Sequence, residues 1–286
     1  MLEIPDPNSI ARVADWVELV VAITASSVSK AQLTSNIEGV AGDEPPEHFL
    51  SSVWQELALR QRLYSSPSFT VEDRTVEPLT DITVLPEYLV CLIFSLYGVQ
   101  GNTKISGKLF ERLTSEAVER YLSGKAMVFG WPFGKDDVNA SSDETQIMQM
   151  VKKATEILQE KYIEAPASHY KDRNLDVIGW KPFNEKRSGQ VVILVQCGAG
   201  HNWKSKNAVP IKAWTQYIHW ANDPLVAFSV PCIIDDRDWH GQSREKGILF
   251  DRVRILNLLP KGVKDKNLKA EISTWVKEQL PELENE

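Results

Sequence analysis

The chain has 286 residues, 43% of them hydrophobic, enough to build the core of one large domain or two smaller ones. Its net charge of −7 argues against a protein that coats nucleic acid by charge alone, and no apolar run approaches the roughly 18 residues that cross a bilayer. Three well-separated cysteines (Cys91, Cys197 and Cys232) exclude a CxxC metal site and argue against a disulfide framework; with no signal-peptide pattern at MLEIPDPNS, they point to a reducing, cytoplasmic setting.

Charge is unevenly spread. Residues 1–100 hold five Lys/Arg against fourteen Asp/Glu, whereas residues 101–286 hold 27 against 25. The asymmetry suggests two domains, 1–98 and 99–286, with any nucleic-acid chemistry in the second. Val13, Trp16, Val20 and Ile23 recur at helical spacing, which predicts a helix with a buried face over 11–23. Ser29 caps the next helical segment, which ends at Gly42. Pro45 and Pro46 open a third helix over 47–64, with Phe49, Val53, Trp54 and Leu57 on one side. Residues 69–71 and 75–79 are expected to form a hairpin about Asp73–Arg74. Three helices and a hairpin resemble a winged helix, a fold that often binds DNA. The acidic composition here favours a protein-contact or dimerisation role instead. A strongly apolar helix over 86–99 is expected to pack the two halves together.

In the second half, Leu109, Leu113, Ala117 and Tyr121 form a stripe on a helix over 106–122, with Phe110 beside it. Glu111 lies in the first turn of that stripe, where a carboxylate is favoured by the helix dipole whatever else it does. Residues 134–146 read as a polar surface loop. A helix over 147–163 follows, turning Ile147, Val151, Ala154 and Leu158 inward and Lys152, Lys153 and Lys161 outward.

Two strands come next. Over 175–180, Asp176 shares a face with Ile178 and Trp180; over 191–198, Gln196 shares a face with Val192 and Leu194. The second strand is apolar on both sides, as in a sheet covered on both faces. A polar connection ending in Gly189 suits a hairpin, and pairing brings Asp176 and Gln196 to one face near one sheet edge. Polar groups inside apolar strands cost free energy unless they are paired or bind something. Asp176 could pair with Arg173 or Lys171, and Gln196 could satisfy buried backbone groups.

Beyond them the sequence predicts a helix over 210–220, a strand over 225–234, an acidic loop or cap at Asp235, Asp236 and Asp238, a strand over 247–256, and a closing helix over 266–280 that buries Leu268, Ile272 and Val276. Arg237, Arg244, Lys246, Arg252 and Arg254 are available to meet phosphates. No Ser or Cys has His and Asp partners in a triad pattern, and the histidines lack metal-ligand spacing; His201, after the GAG turn, reads as a turn residue.

With its acidic helix residue, its Asp and Gln on successive strands and the turn QCGAGHNWKSK, the stretch 105–258 resembles the PD-(D/E)XK restriction-endonuclease-like superfamily. That resemblance implies an α/β fold: a mixed sheet flanked by helices, with a helix, three strands, a helix and a further strand as its core. A helical insertion occupies about 134–165. The family's roles would fall to Glu111, Asp176 and Gln196, with Gln in place of the motif's Glu. Gly198 stands where the motif's lysine would be, so Lys204 or Lys206 would supply the ammonium. A Mg²⁺ or Mn²⁺ ion would be held by Asp176, Gln196, the Cys197 carbonyl and Glu111. The implied activity is metal-dependent phosphodiester hydrolysis, in the first place by a DNA endonuclease of a bacterial-type antiviral defence system. The alternatives are an inactive nuclease-like scaffold whose acidic N-terminal domain binds a protein partner, or an RNA-directed nuclease. A homodimer is compatible with the resemblance, and membrane contact is not expected.

Overall fold

The computed structural model describes residues 2–79, 84–99, 103–130, 132–134, 136–139 and 142–285, leaving aside the side chains of 103–104 and 282–285. Helix α1 (Ile10–Thr24) begins where the Ser9 side chain accepts the Arg12 amide. A reciprocal capping box of Ser29 and Gln32 opens α2 (Lys30–Ala41), and Gly42, at φ +84°, ends it. Helix α3 (Glu47–Leu63) buries Val53, Trp54 and Leu57 as its spacing requires. Strands β1 (Val28–Ser29), β2 (Phe69–Val71) and β3 (Thr75–Pro78) form an antiparallel sheet in the order β1-β3-β2, and the hairpin sets Val71 opposite Val76. The expected strand end at Leu79 lies just beyond β3. Helix α4 (Pro86–Tyr97) is apolar on nearly every side and is buried almost throughout.

Helix α5 (Thr103–Leu122) starts a turn earlier than the sequence suggests. Its buried stripe runs through Leu109, Leu113, Ala117 and Val118, while Tyr121 is half exposed, its ring edge-on to Phe250. Twelve residues at 3.6 per turn carry Tyr121 about 120° away from Leu109, so the expected stripe drifts off the core. After α5 comes β4 (Lys125–Val128), a short strand with no alternation to betray it. Where it is described, the loop 134–146 is irregular; Lys135, Ala140 and Ser141 lie outside the described residues. Helix α6 (Gln146–Leu158) stops at Gln159, which is left-handed at φ +59°. Lys161 therefore belongs to β5 (Lys161–Tyr162), not to an outer helix face.

The main sheet adds β6 (Val177–Lys181), β7 (Val191–Cys197), β9 (Leu225–Ser229) and β10 (Ile248–Phe250) to β4. Its order is β10-β9-β7-β6-β4, antiparallel from β4 to β7 and parallel from β7 to β10. Helix α7 (Ile211–Tyr217) connects β7 to β9 and leads into β8 (Ile218–His219), which pairs with β5. The two faces of the sheet follow the period of two. Ile178, Trp180, Val192 and Leu194 pack with residues of α6 and α7. Val177, Ile193, Val195 and Cys197 join Leu109, Phe110 and Leu113 in a larger cluster that extends through α1 and α4.

Of the two readings of the acidic stretch, the cap holds: Asp235 caps α8 (Asp236–Lys246), whose first turn carries Asp236 and Asp238. One expectation at the C-terminal end is corrected. Strand β10 is only three residues long, because the Asp251 side chain accepts the Arg254 amide and starts α9 (Arg252–Leu258). Helix α10 (Lys266–Asn285) buries Leu268, Ile272 and Val276 as expected. The protein is thus a mixed α/β structure with ten α-helices among the described residues, and no described helix is long and apolar enough to cross a membrane.

A buried ion network ties the N-terminal helices to α9. Arg60 Nη1 on α3 donates to Asp15 Oδ1 at 2.5 Å and to Glu18 Oε1 at 2.7 Å, both on α1. Arg252 Nη2 donates to the same two carboxylates at 2.6 and 3.3 Å, and its Nε to the Tyr64 hydroxyl at 2.9 Å. Tyr64, Tyr88 and Ser95 donate to the remaining carboxylate oxygens. Burial alone would raise Asp15, but Arg252 and Arg60 outweigh it and hold its pKa at about 2. Arg252, fully buried, is accordingly not available to phosphate, and neither is Lys246 at 3% exposure.

Candidate functional site

The site forms where β6 begins and β7 ends. Asp176 directly precedes β6, yet its main chain is already held on both sides: its N–H donates to the Val195 carbonyl at 2.9 Å, and its carbonyl accepts the Phe129 and Gly130 amides at 2.7 and 3.0 Å. The side chain is therefore presented by sheet geometry rather than by a loop. Asp176 Oδ2 accepts Gln196 Nε2 at 3.0 Å and the Cys197 amide at 2.6 Å. Among the described residues it forms no ion pair, so pairing with Arg173 or Lys171 does not occur; Arg173 instead stacks on the Tyr170 ring.

Glu111 arrives from the other side of the sheet, on α5. A Cβ built on Gly130 would lie 2.5 Å from Glu111 Oε2 and 2.9 Å from Asp176 Oδ1, so both carboxylates converge on one glycine. Any larger residue there would push them apart. Lys108, one turn before Glu111, donates to Glu111 Oε2 at 2.6 Å and also to the Gly130 carbonyl. Both acids are nearly buried, at 9% exposure for Glu111 and 7% for Asp176. Burial, followed by the Asp176 charge, lifts Glu111 to about 8 against the pull of Lys108. Burial, followed by Asp172, lifts Asp176 to about 7 against the Cys197 amide, Lys206 and Lys108.

Position 198 has room only for glycine. A Cβ there would meet the Phe228 ring at 2.8 Å and Trp203 Cβ at 2.9 Å, so no side chain fits at the end of β7. The chain turns through a 3₁₀ segment (His201–Ser205), and the two lysines on this turn part company. Lys206 Nζ returns to the Cys197 carbonyl at 3.3 Å, and its charge is felt by Asp176. Lys204 points away, 60% exposed and 2.6 Å from Asp238, and is not brought to the carboxylates. The nearly buried ammonium of Lys246 on α8 donates to the carbonyls of Lys204 and Lys206, clamping the turn that delivers Lys206. His201 lines a separate cleft with Arg12 and Asp15.

The structure thus gathers Glu111, Asp176, Gln196, Cys197 and Lys206, and excludes Lys204. Sequence reasoning missed Lys108 and Gly130, and assigned Lys246 to phosphates rather than to the turn it clamps. Lys108 lies three residues before Glu111 on one helix face, the one signal that could have found it.

The donors suit a hard divalent cation. The Gln196 Oε1 atom is buried without a hydrogen-bond partner, and two carboxylates face each other with one ammonium between them and the surface. Among the described residues no three His, Cys, Asp or Glu side chains cluster in a metal-binding arrangement. Two carboxylates completed by an amide oxygen and water is nevertheless a common Mg²⁺ set. The Cys197 carbonyl, expected as a ligand, is engaged by Lys206.

No family model matches this chain. No curated protein and no solved structure matches it either.

Proposed function

We propose that the chain is a metal-dependent nuclease that hydrolyses phosphodiester bonds, in the first place a DNA endonuclease serving a bacterial-type defence system. The observation that carries this reading is the meeting of Glu111 and Asp176 at the Gly130 notch, with Gln196 bonded to Asp176, where β6 starts and β7 ends. The surrounding topology supports it: α5, the antiparallel run β4-β6-β7, helix α7, then β9 parallel to β7 follow the order of a PD-(D/E)XK core.

Hydrolysis forms a bond from a water oxygen to phosphorus and breaks the bond to an ester oxygen, which leaves as a hydroxyl with one of the water's protons. A bound Mg²⁺ or Mn²⁺ would polarise the phosphate and lower the pKa of the attacking water. Glu111 and Asp176 would hold the ion, Gln196 would orient a ligand water through Oε1, and Lys206 would offset charge developing on the phosphate. In this reading the raised carboxylates are sites kept short of positive charge until a cation arrives.

The N-terminal unit, ordered α1-β1-α2-α3-β2-β3 with β3 central, has the arrangement of a winged helix. Helix α3 exposes Glu47, His48, Ser51, Gln55 and Arg62, and the hairpin tip exposes Glu72, Asp73 and Arg74. That surface carries no excess of basic residues, and the acidic composition of residues 1–98 supports a protein-contact role over DNA binding. A second reading, an inactive scaffold acting through that surface, draws support from the Gln196 amide occupying Asp176 Oδ2.

The test incubates purified protein with supercoiled plasmid and single-stranded circular DNA in Mg²⁺, Mn²⁺ or EDTA, beside Asp176→Ala. Expected is cleavage that needs metal and that the variant loses by roughly 100-fold or more. Cleavage in EDTA, or equal cleavage by the variant, overturns the reading. The scaffold reading requires a pull-down dependent on residues 1–98 together with full biological function in Asp176→Ala.

A further inference from the structure

Beside the carboxylates lies an open cleft of about 400 Å³. Its floor is Gly130, its near wall Lys108 on α5, and its far wall Phe133, Asp137 and Met150, contributed by the polar connection and by α6. The segment that interrupts the nuclease-like core between β4 and β6 therefore walls one side of the candidate site instead of decorating a distant surface. A space of this size suits a single small-molecule unit rather than the side of a double helix.

The charges around it point the same way. Arg112 at the rim is engaged by Glu271 and lies 3.6 Å from Asp265. Lys153 pairs with Asp137 at 2.7 Å, and Lys152 with Glu144. Duplex recognition draws on about 6–10 phosphate contacts, and these cations are already matched by acids. Lys108 is paired as well, with Glu111 Oε2 and the Gly130 carbonyl, but it is set apart by position: its ammonium stands at the junction of cleft and carboxylates, with 23% of the side chain exposed. Phe133 and Pro132 add an apolar wall of the kind on which unpaired bases rest.

We propose that this cleft is a subsite for single-stranded nucleic acid, with Lys108 as its phosphate-binding cation, admitting one unpaired nucleotide next to Glu111 and Asp176. Cleavage of the bound strand rests on the phosphodiesterase reading; binding of the strand does not.

The experiment uses the full chain carrying Asp176→Asn and measures fluorescence anisotropy of a short labelled single-stranded DNA, its RNA counterpart and the same DNA as a duplex, across a salt series. Expected is single-strand binding at least roughly tenfold tighter than duplex binding, weakened about tenfold by Lys108→Gln, with the salt slope flattened by about 0.7, the share of one phosphate on a single strand. Lys108→Met gives the same result through a different side chain, and melting temperatures confirm that both variants fold. Tighter binding of DNA or of RNA names the sugar and supports the cleft in either case. Duplex bound as tightly as single strand, or affinity and slope unchanged in both Lys108 variants, overturns the proposal. Metal-independent cleavage alongside Lys108-dependent single-strand binding would remove the nuclease reading and leave the cleft standing.

Discussion

Two buried clusters of charge divide this molecule. At the junction of α1, α3 and α9, two arginines face two carboxylates, and two tyrosines and a serine take up the remaining oxygens. At the ends of β6 and β7, two carboxylates face each other with one partly exposed lysine bound to one of them. The first cluster is balanced, and Asp15 stays ionised down to about pH 2. The second is short of positive charge, and Glu111 and Asp176 hold protons up to about pH 8 and 7. A compensated buried network pins elements together, while an uncompensated one needs something brought from outside. The contrast separates architecture from site more sharply than burial does, since both clusters are hidden.

The sharpest way to break the comparison is Arg252→Met. It leaves Asp15 and Glu18 buried with one arginine, and should lower the unfolding free energy by about 3–5 kcal/mol in urea titrations at pH 7. A loss below about 1 kcal/mol would mean the network is not what joins α9 to the N-terminal helices. Asp176→Asn should do the opposite: without metal at pH 8 it is expected to raise stability, by up to about 4 kcal/mol. The sign comes from proton counting. The folded chain keeps a proton on Asp176 that the unfolded chain releases above about pH 4, so stability of the native protein falls as pH rises from about 4 to 7. The variant's advantage should therefore vanish near pH 4. Asp15 contributes in reverse: its stabilisation is present above its ordinary value of 3.8 and disappears as pH falls through about 2.

Gly130→Ala is smaller in stability, about 1–3 kcal/mol of loss as the carboxylates are forced apart, but it should abolish Mn²⁺ binding measured by calorimetry. Retained Mn²⁺ affinity would show that the notch does not organise the site. Lys204→Ala should change thermal stability by less than about 0.5 kcal/mol and leave cleavage intact, because its pair with Asp238 is exposed. A large loss of cleavage would return Lys204 to the site.

Much of this was legible. Caps and apolar spacing placed α1 to α4 and the hairpin within a few residues, and alternation placed Asp176 and Gln196 on one face of adjacent strands. Strand β4 escaped because four residues at a sheet edge carry too little pattern. The β10–α9 boundary escaped because apolar residues continue on both sides of Asp251, and only the structure shows its side chain capping the Arg254 amide. In α1, nothing in the sequence marked Asp15 and Glu18 as members of a buried network, since their arginine partners lie about 40 and more than 230 positions away in the chain.

Local chemistry therefore settled the elements, their caps and the polar residues set in apolar strands, because those depend on neighbours a few positions apart. Which lysine is brought near Asp176, why position 198 must be glycine, and which acids are compensated were decided only by tertiary structure. Each depends on the approach of side chains distant in sequence: Phe228 and Trp203 against Gly198, Lys246 against the Lys206 turn, and Arg252 against α1.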